Sequence, residues 1–184
     1  MSKRIALFTA AAFGALALTA TILTPVNAQE KTVMVGGAAM FPSRNIIQNA
    51  VNSKDHTTLV AAVKAAGLVE TLEGKGPFTV FAPTNAAFGK LPDGTVDNLV
   101  KPENKATLTR ILTYHVVPGK LEASDLSDGK KLKTVEGEEL TVKKANGKVM
   151  IVDAKGGTAT VTISNVNQSN GVIHVVDTVL MPAS

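Results

Sequence analysis

The sequence predicts an α+β domain in which helices occupy the first half of the chain and strands the second. Apolar residues recur at helical spacing up to His115, whereas after Leu121 they alternate with polar residues at a period of two. Turn dipeptides also recur at short intervals in the second half: Asp128-Gly129, Glu136-Gly137, Asn146-Gly147, Gly156-Gly157 and Asn170-Gly171. Helices that precede strands, rather than alternating with them, are typical of α+β folds.

Residues 1–28 have the pattern of a secretory signal peptide. Lys3 and Arg4 precede a long uncharged apolar stretch, and Val26 and Ala28 fit the −3 and −1 positions of a cleavage site. Because about 20 apolar residues can span a bilayer, a transmembrane anchor is the alternative. We expect cleavage near Ala28, a secreted or periplasmic protein, and no transmembrane segment in the mature chain.

Charge and cysteine content exclude several classes of function. The chain has 19 basic and 15 acidic residues. Lys3 and Arg4 are lost with the signal peptide, so the mature chain is close to neutral and gives no reason to expect a nucleic-acid partner. The absence of cysteine excludes zinc–thiolate sites and thiol nucleophiles. We expect no cofactor and a monomeric protein.

The first part of the mature chain predicts an arm followed by helices. Residues 29–44 contain Gly36-Gly37 and show no periodicity, which indicates a flexible arm, with Met40 and Phe41 as possible contacts to the domain. Apolar residues at helical spacing predict a helix over 45–52 and a second helix that begins near Thr57, where Asp55 or Thr57 can cap it, and ends at Gly67.

The stretch 76–88 predicts the central strand of the domain. Gly76-Pro77 interrupts the preceding structure, and Phe78 to Ala82 is a run of aromatic, β-branched and small residues typical of a buried strand. Pro83 ends the strand because it has no backbone N–H. Thr84 is a good N-cap residue and predicts a helical turn after it.

The remaining elements follow from periodicity and turn chemistry. Thr95 can cap a short helix, and Leu108, Ile111 and Leu112 predict an amphipathic helix over 104–114, followed by a strand at Val116. Asn146-Gly147 favours a type I′ turn and is the strongest hairpin signal in the chain. The runs that predict strands are 131–135, 139–144, 149–152, 158–163 and 172–176.

An enzyme is one alternative, and the sequence gives little support for it. The only imidazoles are those of His56, His115 and His174, and the chain has no Gly-x-Ser-x-Gly, His-Glu-x-x-His or P-loop motif. No histidine has a second ligand at the spacing that metal sites require, so we expect histidines of the core rather than metal ligands. We therefore predict neither catalytic nor metal-binding residues.

Seven lysines lie within one stretch of the strand-rich half. Exposed lysines commonly prevent strands from pairing edge to edge, and that is the simpler explanation. The alternative is a weak, salt-dependent attraction to an anionic cell-surface polymer. The lysines are Lys130, Lys131, Lys133, Lys143, Lys144, Lys148 and Lys155.

Three motifs in the chain resemble the fasciclin-like domain family. Residues 76–88, Gly-Pro-Phe-Thr-Val-Phe-Ala-Pro-Thr-Asn-Ala-Ala-Phe, resemble the first signature box. Tyr114-His115-Val116-Val117 is similar to the Tyr-His element, and residues 170–182 resemble the second box. The resemblance implies one fasciclin-like domain over 45–184, folded as a wedge-shaped β-sandwich flanked by several α-helices.

The resemblance also implies a function in adhesion, with a cell-surface or matrix protein or polysaccharide as the partner. In some family members, integrin binding involves the Tyr-His element and a segment before the second box. Here these positions are Tyr114, His115, Asn165 and Val166. Asn165 stands where the integrin-binding pattern has Asp, so the carboxylate that could reach a bound cation is missing.

Two alternatives remain open for these residues and for the function. Tyr114 and His115 could instead join helix to sheet through buried hydrogen bonds. Because some fasciclin-like proteins bind small apolar molecules such as a carotenoid or lipid, Met34, Met40 and Phe41 could contribute to a carrier site, although no aromatic cage is evident.

Overall fold

A computed structural model describes residues 31–183, so the expected signal peptide lies outside the described residues. Strands β1 (Val33–Val35) and β2 (Ala38–Met40) come first. The helices are α1 (Ile46–Ala50), α2 (Thr57–Ala66), α3 (Val69–Glu73), α4 (Asn85–Phe88), α5 (Thr95–Leu99) and α6 (Lys105–Tyr114), with 3-10 turns at Lys54–His56 and Pro102–Asn104. The remaining strands are β3 (Phe78–Pro83), β4 (Val116–Pro118), β5 (Lys131–Lys133), β6 (Glu139–Ala145), β7 (Lys148–Val152), β8 (Thr158–Gln168) and β9 (Gly171–Val176).

Strands β3 to β9 form one sheet in the order β4-β3-β9-β8-β7-β6-β5. β3 and β9 pair in parallel, and the other neighbouring strands pair antiparallel. The long strand β8 belongs to both halves of the sheet, which folds over on itself. The backbone N–H of Val135 donates to the carbonyl of Val116 at 2.8 Å, so the two outer edges meet. The result is the predicted sandwich, with helices against one side.

The central strand β3 separates two apolar cores. Phe81 is fully buried between the halves of the sheet, together with side chains from β5, β6 and β7. Val80 and Ala82, which alternate with Phe81 along the strand, face the second core, formed with the helices. Because both faces of β3 are covered, its sequence is a continuous apolar run, and the predicted central strand is confirmed.

The ends of the helices show where local sequence signals hold and where they fail. Gly67 ends α2 in the left-handed conformation with φ 72°, and the hydroxyl of Thr84 accepts from the N–H of Ala87, both as predicted. The predicted caps at α2 and α5 are wrong. The N–H of Thr58 donates instead to the side chain of Asn85 at 3.0 Å, and Gly94, not Thr95, precedes α5.

The predicted hairpin between β6 and β7 is confirmed. Asn146 and Gly147 have φ angles of 53° and 74°, the positive values that a type I′ turn requires at both central positions. Ala145 pairs with Lys148 directly across this turn. The turn therefore fixes the register of the two strands.

The prediction of a flexible N-terminal arm is wrong for the part of it that the structure describes. β1 and β2 form a hairpin whose turn is Gly36-Gly37, because glycine adopts the positive φ that the turn needs. Val35 and Met40 are buried in the helical core, and the N–H of Lys54 donates to the carbonyl of Gly36 at 3.2 Å. The glycine pair is thus a hairpin turn rather than a break in structure.

No helix within residues 31–183 combines the length and the apolar character that crossing a bilayer requires.

Candidate functional site

Tyr114, the first of the predicted partner-binding residues, is fully buried between helix and sheet. Its hydroxyl donates to the carbonyl of Glu139 at 3.2 Å and accepts from the N–H of Ala154 at 2.9 Å. Burial raises the pKa of the phenol, chiefly through the cost of removing its charged form from water. The ring therefore joins the end of α6 to β6 and to the turn after β7, and its hydroxyl has partners within the domain.

His115 is also inside the protein, with 2% of its surface exposed. Its Nδ1 donates to the carbonyl of Ile111 at 2.8 Å, and its Nε2 accepts from the N–H of Leu180 at 2.9 Å. Desolvation lowers the pKa of this imidazole to about 4, so the ring is neutral near pH 7. In this position the ring ties α6 to the C-terminal segment.

Asn165 and Val166 lie in an irregular part of β8 rather than in the exposed loop that their polar neighbours suggest. The register with β9 shifts between Ile163 and Val166, and Asn165 adopts a φ of 57°. Asparagine tolerates this conformation better than most residues. Val166 is buried, whereas Asn165 is partly exposed and accepts from the N–H of Ala123 at 2.7 Å. Of the four predicted positions, Asn165 is the one that reaches the surface.

His174 is another buried histidine, and it stabilises the same region. Nε2 of His174 donates to the carbonyl of Leu121 at 2.7 Å, and Nδ1 receives a long contact of 3.4 Å from the N–H of Asn165. Burial lowers the pKa of this ring, which keeps it neutral. The imidazole thus holds the bulge of β8 and the segment after β4 together.

The surface beside Asn165 is a groove of about 590 Å³ between the β1–β2 hairpin and β8. Val33 contributes apolar surface, and Lys31 and Glu122 bring opposite charges to it. Asn165 presents its amide, whereas the Oδ1 of Asn167 is buried and accepts no hydrogen bond from the described residues. Charges, an amide and apolar surface in one groove are the chemistry of a protein or polysaccharide contact.

A separate apolar cavity lies inside the domain, between the helices and the sheet. Its lining includes Val35, Leu59, Val63 and Ile173, and its volume is about 40 Å³. An engineered apolar cavity of roughly 150 Å³ binds benzene. The cavity of this conformation is therefore too small for a carotenoid or a lipid chain.

His56 and His115 both line the small interior cavity, whereas His174 does not. His56 contacts the hydroxyl of Ser53 at 2.9 Å, but both residues are buried and the β1–β2 turn covers them. Burial lowers the pKa of His56 as it does for the other two imidazoles. Among the described residues, no group of three or more histidine and carboxylate side chains is arranged to hold a metal ion.

Sequence reasoning missed most of the groove. Lys31 and Val33 lie in a segment that was predicted to be a flexible arm, and Glu122 carries no local signal at all. The polar segment 164–168 did indicate surface chemistry, and it supplies the amide of Asn165. Only the pairing of β8 with β9 and the docking of the hairpin bring these distant segments together.

Comparisons with known proteins show which proteins this chain resembles. The family model described as Fasciclin domain matches residues 54–182. The chain is 47% identical over 181 residues to Protein sll1483 of Synechocystis sp., covering 98% of this chain and 97% of that protein. It is 39% identical over 153 residues to the Cell surface glycolipoprotein MPB83 of Mycobacterium bovis, covering 80% of this chain and 64% of that protein.

A solved structure shares the fold. The FAS1 domain pair from the insect cell adhesion molecule fasciclin I superposes with a TM-score of 0.68 at 19% identity. The match covers 77% of this chain and 52% of that chain, so the chain corresponds to about half of the pair. At this level of identity, the likeness concerns the fold alone.

Proposed function

The chain belongs to the fasciclin domain family, whose members are generally non-enzymatic and related to adhesion, and from that premise we propose that this protein is an exported adhesion module. Its partner is a protein or polysaccharide of a cell surface or extracellular matrix. Family membership confirms the assignment made from the three motifs. Adhesion, export and the kind of partner are the steps that the proposal adds.

The single observation that carries the proposal is the groove beside Asn165. It lies where the family resemblance predicts partner contacts, and it offers the amide of Asn165, two opposite charges and apolar surface. Tyr114, His115 and Val166 are buried, so their contribution is to hold α6, β8 and the C-terminal segment in place. The partner contacts the groove, and these three side chains stabilise the structure around the groove.

Export is supported by the signal-peptide pattern and by one relative. MPB83 is named as a cell surface protein, and the match to it covers most of this chain. An exported adhesion module needs a partner outside the cell, and the proposal places the contact with that partner at the groove. The carrier alternative receives no support from the interior cavity, whose volume is about 40 Å³.

The experiment compares two charge-neutral double variants for retention on immobilised cell-surface material of the producing organism. The groove variant Lys31→Gln/Glu122→Gln removes one cation and one anion from the groove. The control Lys101→Gln/Glu103→Gln removes the same charges from the connection between α5 and α6. We expect the groove variant to lose most of its retention and the control to keep it. Equal retention by wild type and both variants would refute the proposed site.

A further inference from the structure

The tip of the β6–β7 hairpin is a basic feature of the described surface. Residues 143–148 are all exposed, and they include three lysines and no acid. Among residues 31–183, no carboxylate lies within ion-pair distance of Lys143, Lys144 or Lys148. The carboxylate of Asp128 accepts from the backbone N–H of Lys144 at 2.7 Å, so it offsets only part of the positive charge of the tip.

Edge protection does not explain Lys143 and Lys144. β6 and β7 are interior strands of the sheet, with β5 on one side and β8 on the other. Beyond the end of β5, the N–H of Lys144 donates to Asp128 at 2.7 Å, so the backbone there is also occupied. Lysines that guard an open edge belong on the outermost strand, where Lys131 and Lys133 lie. Edge protection therefore explains the lysines of β5, and it also explains Lys148, because β7 no longer pairs with β8 at that residue, but it does not explain Lys143 and Lys144.

A cleft opens directly beside the tip. β7 and β8 pair from Val152–Thr158 to Met150–Thr160, and the register of β8 with β9 shifts just beyond, between Val161 and Ile163. The two strands then separate and leave a cleft of about 470 Å³. Its polar lining is one ammonium and three hydroxyl side chains, those of Lys148, Thr160, Thr162 and Ser164.

The cleft and the groove of the proposed function meet at one residue. Ser164 is exposed and lines both of them. A long ligand that occupies the groove can therefore continue along the hydroxyls of β8 towards the lysines. A linear polymer suits such a path, since it presents the same groups repeatedly along its length.

We propose that the hairpin tip and the adjoining cleft bind an anionic polysaccharide, which deepens the proposed function by naming the class of its partner. Ammonium groups pair with carboxylates or sulfates, and hydroxyl side chains exchange hydrogen bonds with sugar hydroxyls. An anionic membrane is a poorer match, because the tip exposes no large apolar side chain for insertion. The exposed large apolar residues are Met34, Val51, Val100 and Val135.

Binding to defined polymers tests the site. Alginate supplies carboxylates, dextran sulfate supplies sulfates, and dextran is the uncharged control for the latter. We expect alginate, dextran sulfate or both to bind at least about tenfold more tightly than dextran, with affinity that falls as salt is raised. The comparison of the two polyanions identifies the preferred anionic group.

Matched variants test whether binding depends on this site or only on the overall charge of the protein. Lys143→Gln/Lys144→Gln/Lys148→Gln and the control Lys64→Gln/Lys75→Gln/Lys101→Gln remove the same charge, the latter from exposed positions in the helical half. We expect the tip variant to lose at least about tenfold in affinity and the control to change less than about twofold. Thr160→Val/Ser164→Ala should weaken binding several-fold without altering its salt dependence. Equal losses in the two triple variants, or no loss in the hydroxyl variant, overturn the site.

Two further outcomes distinguish an anionic polysaccharide from an anionic membrane, and distinguish failure of this inference from failure of the proposed function. Binding to phosphatidylglycerol vesicles that equals binding to the polyanions overturns a polysaccharide site in favour of general attraction to negative charge. If the wild type is retained by native cell-surface material and binds neither polyanion, the inference fails while the proposed function stands. A protein that is not retained by the native material overturns the proposed function itself.

Discussion

The backbone N–H of Leu180 donates to Nε2 of His115 at 2.9 Å, a contact between residues 65 positions apart in the chain. Nδ1 of the same ring donates to Ile111, so the imidazole is neutral and has a partner at each nitrogen. This places a residue of the second family motif directly on the Tyr-His element. Two of the motifs that resemble the family are therefore parts of one buried hydrogen-bonded contact.

Substitution of His115 should affect stability rather than binding. His115→Ala leaves the N–H of Leu180 without a buried acceptor, which costs about 1–3 kcal/mol. We expect a lower midpoint in thermal unfolding, with retention on cell-surface material unchanged at temperatures where the variant is folded. Unchanged stability together with lost retention would show that the imidazole contacts the partner directly.

The buried histidines predict loss of stability in mild acid. The folded-state pKa of His115 is about 4, below its ordinary value of 6.5, because burial disfavours the charged ring. The unfolded chain therefore takes up a proton first, so the stabilisation is complete above pH 6.5 and falls between pH 6.5 and 4. The loss from His115 approaches roughly 3 kcal/mol at the lower limit.

Urea unfolding at several pH values between 7.5 and 5 measures this effect. His56 and His174 contribute in the same direction, since burial lowers the pKa of both. Unfolding of the His115→Ala protein should depend less on pH than that of the wild type. A wild-type free energy of unfolding that is constant from pH 7.5 to 5 would contradict the neutral, buried rings.

The central strand predicts a large cost for removing its aromatic side chain. Phe81 is fully buried and stacks on the ring of His174, with centroids 5.7 Å apart. Phe81→Ala should lower the free energy of unfolding by about 3–5 kcal/mol. Phe41→Ala is the control, because that ring is partly exposed and lies under the guanidinium of Arg44. Similar midpoints of unfolding for the two variants would mean that the core is misassigned.

The N-terminal hairpin can be tested with two methionines that its strands place on opposite sides. Met40 is 3% exposed and Met34 is 59% exposed. Met40→Ala should cost about 2–5 kcal/mol, because it empties part of the helical core. Met34→Ala should stay within about 0.5 kcal/mol. Equal, small effects in urea unfolding would show that the hairpin does not dock in solution.

Local signals in the sequence were sufficient for most elements of the fold. The run Phe78–Ala82, the Asn146-Gly147 turn and the period of α6 each depend on side chains within a few residues, and each is confirmed. The predicted caps failed because the distant residue Asn85 accepts from the first turn of α2, and because Gly94, which has no side chain, precedes α5. The parallel pairing of β3 with β9 has no local signal, since it joins segments about 90 residues apart.

The candidate site depended more strongly on tertiary structure. The sequence identified Asn165, but it gave no indication that this residue lies in a bulge and accepts from Ala123. It identified the lysines, but the strand order was needed to show that Lys143 lies on an interior strand. The sequence shows which side chains are polar or charged, whereas the topology determines which residues lie beside them.

Restoring a carboxylate at residue 165 tests the kind of partner. Asn165→Asp keeps an oxygen to accept from the N–H of Ala123, and aspartate also tolerates the positive φ of this position. We therefore expect a change in stability within about 0.5 kcal/mol. Ser164→Asp, which adds a charge at an exposed position of the same groove, is the control. An integrin-like receptor with a bound cation would gain from the new charge at residue 165, because hard cations prefer anionic oxygen ligands.

For an anionic polysaccharide the added charge is repulsive. We therefore expect retention on cell-surface material to be unchanged or weaker in both variants, with or without divalent cations. A cation-dependent increase in retention that Asn165→Asp shows and Ser164→Asp does not would contradict this and indicate an integrin-like partner.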